Sequence, residues 1–479
     1  MDNSTRKLLN LTDPTAEIVS IDETEDTVTV TIKSNVPIMY CPLCNTRMRS
    51  KGIITREISH PVLQTGKNLV LLYKQRKWKC PNGDCNHYCR DSLNFLEPYK
   101  RSTNFVPYAI LNEMKDIHLS AKQIGKRFDK SDTYVHQTFM RFVDLPRLEL
   151  PEIISIDEVY MKFNNEDKYA LVIIDFKTGE IIDILPNRLE KDTSPYFLNI
   201  PLEERNKVKY LVCDMYKPYL NYTHRFFRQS IAIVDSFHVI QLINKEINII
   251  LNAKRRELNA LQRKKLDEYN ELHHTNLQSL PESDELYVLR KFKWVILKNK
   301  DNIKYSHDGR YNRKFKQCLN TYQIEAKFFD LDPTYREIRE LKEKYIKFNN
   351  DHVNDLDGAR EDLKSIISTY ESSDIYMFNT KIANTLKNHF EEIINSFTYI
   401  TGAQRKTVEN QYTRISNGLM ECNNNVFKDL KRQSKGVTNF DYTRNRILWA
   451  TRKDPAFLAV PKSLKEVRTI GKPRGPYKK

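Results

Sequence analysis

The stretch Ile153–Tyr160, IISIDEVY, decides how this chain is read. Ile153, Ile154 and Ile156 form a short apolar run of the kind that fills a buried strand, with Asp157 and Glu158 at its end. YALVIIDF (169–176) follows a polar turn, and EIIDILP (180–186) follows a turn at Thr178 and Gly179. Strand, turn, strand, turn, strand reads as a meander. VKYLVCDMYKPY (208–219) then supplies another buried strand ending in Asp214. SIAIVDSFHVIQLI (230–243) supplies one more, ending in Asp235, with His238 one turn later. Acids at the ends of adjacent buried strands gather at one edge of a sheet, and hard divalent cations take carboxylate oxygens. The fold class expected is α/β.

Working outward, 479 residues exceed what one domain usually holds, so several units are expected. A hydrophobic fraction of 40% is enough for ordinary cores. No apolar run approaches the ~18 residues of a membrane span, and the opening MDNSTRKLLNLTD lacks the apolar stretch of a signal peptide. A cytoplasmic, nucleoid-associated protein with no membrane partner is the expectation. The net charge of +16 points to a polyanion partner.

Upstream, TVTVTIKS (27–34) alternates at period two and reads as a strand preceded by an acidic turn. Cysteines then arrive in pairs: Cys41 and Cys44 in CPLC, Cys80 and Cys85 in CPNGDC, with His87 and Cys89 just beyond. Between the pairs, NLVLLYKQRKWK (68–79) is expected to supply a β-hairpin. Paired cysteine knuckles on a hairpin bring four thiolates into the tetrahedron that zinc needs. Disulfides are disfavoured in a cytosolic chain, and the thiols are too dense for chance burial. Cys41, Cys44, Cys80 and Cys85 are the chosen ligands, with His87 and Cys89 as alternatives to Cys85. Lys74, Arg76, Lys77 and Lys79 are interleaved with Tyr73 and Trp78 on the same stretch, a pattern that fits either phosphate contact or a solvated strand face.

From Asn104 to Val143 the apolar residues recur at helical spacing. Ser120 fits an N-cap for AKQIGKRF and Ser131 one for DTYVHQTFMRFV, with a tight turn at Asp129–Lys130. Two short helices so joined fit a helix-turn-helix, whose second helix would place Thr133, Tyr134, His136 and Gln137 near base edges. An ordinary helical hairpin would show the same pattern. The adjoining ribbon and the positive charge favour DNA binding.

Residues 241–400 read as a charged, mostly helical insertion without a sustained heptad, its Lys/Arg runs lying on solvated faces. The chain then reaches RISNGLMECNNNVFKDLKRQSKGVTNFDYTRNRIL (414–448). Ser416 or Asn417 can cap a helix starting near Gly418. Glu421, Asn424 or Asn425, Lys428 and Arg432 then fall on one face, a carboxylate, an amide and cations suited to a metal beside a phosphate backbone. The basic tail from residue 456 has almost no core-forming residues and is expected to be disordered.

This order of ribbon, helix-turn-helix, SIDEVY, CDMYKPYL, VDSFHVIQLI, insertion and SNGLMECNNNVFKDLKRQSKGVTNF resembles the DDE transposases of bacterial insertion sequences, specifically the ISL-three group. The resemblance covers nearly the whole chain, and its last motif is the most specific. It implies a ribonuclease-H-like catalytic core with an α-helical insertion before the final acid. Asp157, Asp214 and Glu421 match the family's three acids. Asp235 and His238 match its D-x-F-H segment, a supporting role shared with Asn425. The extra Cys89 departs from the plainest ribbon.

Three carboxylates can hold two divalent ions about 3.5–4 Å apart around an in-line phosphoryl displacement. Magnesium is the ion expected, or manganese in its place, since few carboxylates plus substrate phosphates suit it. The expected organisation is 1–100 β element and zinc ribbon, 101–148 helix-turn-helix, 149–455 catalytic core with its insertion, and 456–479 tail. The expected function is binding of terminal inverted repeats, cleavage at the element ends and transfer of the 3′ ends to target DNA, by a homo-oligomer of at least two chains. Two other classes fit less well: a DNA-binding regulator with an inactive core, and a ribonuclease-H-type structure-specific nuclease.

Overall fold

The computed structural model describes residues 3–61, 67–163, 167–401, 413–416, 418–433 and 439–469. The protein is mixed α/β, and its chain divides into two compact units. One comprises Met1–Leu148, Val159–Ala170 and Asn423–Lys479; the other comprises Glu149–Glu158 and Leu171–Cys422.

In the first unit, β1 (Ala16–Glu23) and β2 (Thr27–Ser34) form an antiparallel hairpin across the acidic turn. β3 (Arg49–His60) and β4 (Asn68–Lys79) form a second, and β2 joins them by pairing parallel to β4. The sheet order is β1-β2-β4-β3, with β5 (Tyr88–Arg90) on β4. NLVLLYKQRKWK is therefore a single strand of twelve residues rather than a hairpin, its burial alternating from Asn68 to Arg76 with no turn to interrupt it. Val30, Ile32, Leu69, Leu71 and Tyr73 line its core, each large aliphatic side chain contributing about 1.5–3 kcal/mol by leaving water. Tyr73 and Trp78 are buried, so the basic stretch has its aromatics inside and Lys74 outside.

The helices Ala121–Arg127 and Asp132–Phe142 are capped as the sequence suggests. Ser120 and Gln123 make a reciprocal capping box, and the Ser131 hydroxyl accepts from the Tyr134 N–H. Between them Asp129 adopts φ 50°. Gly125 closes the turn: a Cβ there would lie 2.5 Å from the Lys130 carbonyl oxygen.

The helix Phe440–Thr451 completes this helical core. Its buried Arg446 donates to the carbonyls of Met114 and Asp116, and Trp449 Nε1 donates to Leu111 O at 2.8 Å. Residues 456–469 differ from the disordered tail expected of them. Leu458 N donates to Phe142 O at 2.7 Å, Lys462 N to Arg141 O at 2.8 Å, and Phe457 packs on Tyr108. Backbone pairing and one aromatic anchor hold a segment whose composition shows no core. Residues 470–479 of that tail lie outside the described residues.

The second unit is built on a five-stranded sheet in the order β10-β9-β6-β7-β8. The strands are β6 (Ile153–Tyr160), β7 (Tyr169–Asp175), β8 (Ile181–Leu185), β9 (Tyr210–Cys213) and β10 (Ile231–Val234). β7 and β8 pair antiparallel, whereas β9 pairs parallel to both β6 and β10. β6 runs on to Tyr160, so Asp157 and Glu158 lie within the strand rather than at its end.

After β10 the chain enters the 38-residue helix Ser236–His273, the first element of the insertion. Helices Thr334–Asp351 and Leu356–Glu371 pack with it around Val239, Ile243, Tyr345 and Leu363. The insertion is not wholly helical: β11 (Arg310–Asn312) and β12 (Gln317–Leu319) form a hairpin within it. Among the described residues, no helix is long and apolar enough to cross a membrane.

Candidate active site and thiol cluster

Strand register brings the first two acids together. Ser155 of β6 pairs with Val212 of β9, and two residues further along each chain stand Asp157 and Asp214. Side chains two apart share a face, and neighbouring strands lie about 4.8 Å apart, so the two carboxylates flank one another on the same side of the sheet. Both are half-buried. The Asp157 carboxylate accepts from the Glu158 N–H at 2.8 Å, and the Asp214 carboxylate from the Tyr216 N–H at 2.9 Å. Burial drives the thiol of Cys213, the last residue of β9, well above its ordinary range, and the charges of Asp214, Glu392 and Asp157 add to the effect. Asp214 also lines an open cleft of about 530 Å³ with Tyr216, His238, Gln241 and Lys245.

Glu158, next to Asp157, has a different task. Arg188 Nη1 lies 2.7 and 2.6 Å from its two carboxylate oxygens, and the Tyr219 hydroxyl donates to it at 3.0 Å. Successive side chains on a strand point to opposite faces, so one acid is held by structural partners while its neighbour flanks Asp214. Burial first, and then the Glu158 charge, raises the Tyr219 hydroxyl above its ordinary range. Arg188 and Tyr219 were not picked out from the sequence; the only available signal was the Asp-Glu doublet itself.

Asp235 continues the pattern by one strand, since Val234 of β10 pairs with Cys213 of β9. Its carboxylate is buried and caps the helix Ser236–His273, accepting from Phe237 N at 3.0 Å. It also bears on the buried Tyr345, raising that hydroxyl to a lesser degree than burial does, and on Arg414. His238 stands in the cleft with Asp214.

Glu421 sits in the first turn of the helix Gly418–Gln433, which begins where the sequence places it; its side chain and Asn417 lie outside the described residues. The segment leading into that helix is firmly set. Ile415 packs with Ile153 of β6, Val212 of β9 and Ile233 of β10. Arg414 donates to Ser396 O at 2.7 Å and Asn349 O at 2.6 Å. Further along the same helix Asn425, Lys428 and Arg432 are exposed, with Lys428 Nζ 3.4 Å from Asn425 Oδ1 and Arg432 3.4 Å from Asp429.

The cysteines form the other centre. Arg49 at the start of β3 pairs with Lys79 at the end of β4, which brings the turns on either side together. In each turn an asparagine takes the left-handed conformation, Asn45 at φ 56° and Asn86 at φ 47°, which its short polar side chain tolerates. The sulfurs of Cys41, Cys44, Cys80 and Cys85 all lie within 4.8 Å of one another. Cys41 and Cys85 are 3.6 Å apart, Cys44 and Cys80 3.5 Å, too far for disulfides. The Thr46 hydroxyl, followed by its backbone N–H, draws the Cys44 thiol down to about 6, whereas burial and the neighbouring sulfurs of Cys44 and Cys41 raise the thiol of Cys80. Cys89 lies outside the cluster on β5, its sulfur 3.4 Å from Met48 Sδ. Among the described residues this is the one group of three or more His, Cys, Asp or Glu so closely gathered. Four sulfurs on two turns suit a closed tetrahedral ion.

On the helix Asp132–Phe142, Thr133 is exposed and Tyr134 and Gln137 are half-buried. His136 keeps solvent exposure but rests edge-on against Tyr442, 4.7 Å between ring centroids.

A transposase of insertion sequence element IS1001 from Bordetella parapertussis is 21% identical over 281 residues. That alignment covers 58% of this chain and 63% of the relative, so the chain spans just under two thirds of the relative's length. The model of the ISL3 family of DDE transposases, described as "Transposase", matches residues 154–447, which is more than half of the chain and runs from β6 to the helix that follows Glu421. The chain belongs to the DDE transposase family of the ISL3 group.

Proposed function

We propose that this transposase binds the terminal inverted repeats of an insertion sequence, cleaves at the element ends and joins the freed 3′ ends to target DNA. The observation that carries the reading is the juxtaposition of Asp157 and Asp214 on neighbouring parallel strands. The sheet order supports a ribonuclease-H-like core: a meander of β6, β7 and β8 on one side, with β9 and β10 parallel beside β6. Glu421 is the third acid, delivered by a helix whose entry segment packs on the acid-bearing strands.

The donor set fits hard divalent ions, since carboxylates on adjacent strands supply oxygen ligands and leave positions for substrate phosphates. Magnesium or manganese held there supplies activation of the attacking hydroxyl and charge neutralisation at the leaving oxygen. The protein's own share is positioning. β6 and β9 fix two carboxylates in register, Arg188 and Tyr219 lock the strand between them and its neighbours, and Asp235 pins the insertion helix. Asn425, Lys428 and Arg432 on the Glu421 helix are suited to holding the phosphate backbone. In the other unit the four thiols fit structural zinc, and the helix pair fits a helix-turn-helix reading the repeat through Thr133, Tyr134 and Gln137, with His136 bracing the second helix on Tyr442. Joining two ends requires at least two chains in one assembly.

The test is single-turnover cleavage of a labelled element end with magnesium, beside a binding titration. Asp157→Asn and Asp214→Asn are expected to lower the rate by at least about three orders of magnitude while changing end affinity less than about threefold, because each keeps its shape and loses only the ligand charge. Cleavage within about tenfold of wild type in either variant would remove these residues from the reaction.

A further inference from the structure

The insertion carries a basic hairpin that the cleavage reaction does not use. Between residues 298 and 316 the chain has seven Lys or Arg against two Asp. The sequence alone assigns such runs to solvated helix faces, but this segment is the β11–β12 hairpin and its flanks. Its base is anchored at several points. Lys314 is ion-paired to Asp284 at 3.2 Å, Asn312 Nδ2 donates to the Tyr287 hydroxyl at 3.1 Å, and Phe315 packs on Tyr287. The Asn312 side-chain Oδ1 accepts from Lys314 N and Phe315 N, at 3.0 and 3.3 Å, so the loop is braced from within.

What this scaffold presents to solvent is cations and rings. Lys304, Arg310, Arg313 and Lys316 are exposed, and among the described residues none of the four has an ion-pair partner. Tyr311 is 64% exposed at the same hairpin. Beside it His307 stacks on the exposed Tyr322, with centroids 5.0 Å apart and planes at 29°. A braced loop loses little conformational freedom on binding, which favours using its cations as contacts.

We infer that the β11–β12 hairpin is a binding surface for duplex DNA whose sequence the protein does not select, the target of strand transfer. This rests on the DNA-joining function proposed above. Charge complementarity commits the surface to a polyanion. Target rather than element end follows from the division of labour: reading of the end falls to the helix Asp132–Phe142, whereas Lys and Arg here suit phosphates, which carry no sequence.

The experiment uses the full chain and compares wild type with the triple variant Arg310→Ala, Arg313→Ala, Lys316→Ala. Affinity for a random-sequence duplex, for the element-end duplex and for single-stranded RNA is measured as a function of salt. Three lost phosphate contacts lower the log–log slope on random duplex by about 2.7, so a fourfold rise in salt costs wild type about 40-fold more affinity than the variant. The slope on the element end is expected to hold. The charge-keeping variant Arg310→Lys, Arg313→Lys should retain the wild-type slope on random duplex, which separates charge from fold.

An unchanged slope on random duplex in the triple variant overturns the inference and leaves the proposed function standing. A change confined to the element end, or to RNA, also overturns it by giving the hairpin another partner. Failure of wild type to bind any duplex would instead remove the proposed function itself.

Discussion

The thiol cluster and the carboxylate site are assembled in contrasting ways. The four sulfurs come from two tight turns at the open end of one antiparallel strand pair, and their geometry is complete within that small region. Asp157 and Asp214 come from β6 and the end of β9, and the proposed third acid from a helix that follows the whole insertion, so a site built from them depends on strand register and on the packing of Ile415 against those strands. The first kind of site suits an enclosed ion that stabilises a small sheet. The second keeps coordination open for substrate, and needs a large, well-packed body to hold distant segments still.

That contrast can be broken at either end. The largest effect on architecture is expected from Cys80→Ser. Loss of one thiolate should reduce bound zinc from about one per chain to near none, because a closed four-ligand site tolerates no gap. Thermal unfolding should then show an early transition from the first unit, with the second unit's transition in place. A zinc-free wild-type chain with the same melting profile would show that the turns need no metal.

A smaller effect is expected from Glu158→Gln. It removes the charge that faces Arg188, which should cost about 1–3 kcal/mol of stability through loss of a partly buried, charge-assisted pair. Asp157→Asn, one residue away, should change stability by less than about 0.5 kcal/mol, since it relieves crowding of like charge beside Asp214. Chemical denaturation of the two variants compares them directly. Equal destabilisation would mean that β6 does not divide its acids between scaffold and chemistry.

Legibility in the sequence follows the same contrast. The knuckles are readable because their cysteines, prolines and asparagines are local, although their spacing leaves Cys85, His87 and Cys89 as alternatives that only the gathered sulfurs separate. The caps at Ser120 and Ser131 were readable for the same reason. The buried runs announced β6 to β10, yet not the parallel pairing of β2 with β4, which joins segments separated by a full hairpin. Nor did they reveal the partners of Glu158, since Arg188 and Tyr219 meet it only through three-dimensional packing. The order in residues 456–469 was hidden because backbone hydrogen bonds, rather than apolar content, place that segment. The hairpin of the insertion was hidden by strands only three residues long, too short for any periodicity.

Glu421, and not Asp235, is proposed as the third acid, although Asp235 is nearer in register. Asp235 is engaged as a helix cap, its carboxylate accepting from Phe237 N. The decisive measurement is single-turnover cleavage of a labelled element end by Glu421→Gln and Asp235→Asn, each with matched end-binding titrations. Glu421→Gln should abolish magnesium-dependent cleavage with end binding retained. Asp235→Asn should keep cleavage within about tenfold to a hundredfold of wild type, since Asn still caps a helix. Cleavage near wild type in Glu421→Gln, with Asp235→Asn inactive, would contradict the account and move the third acid to Asp235.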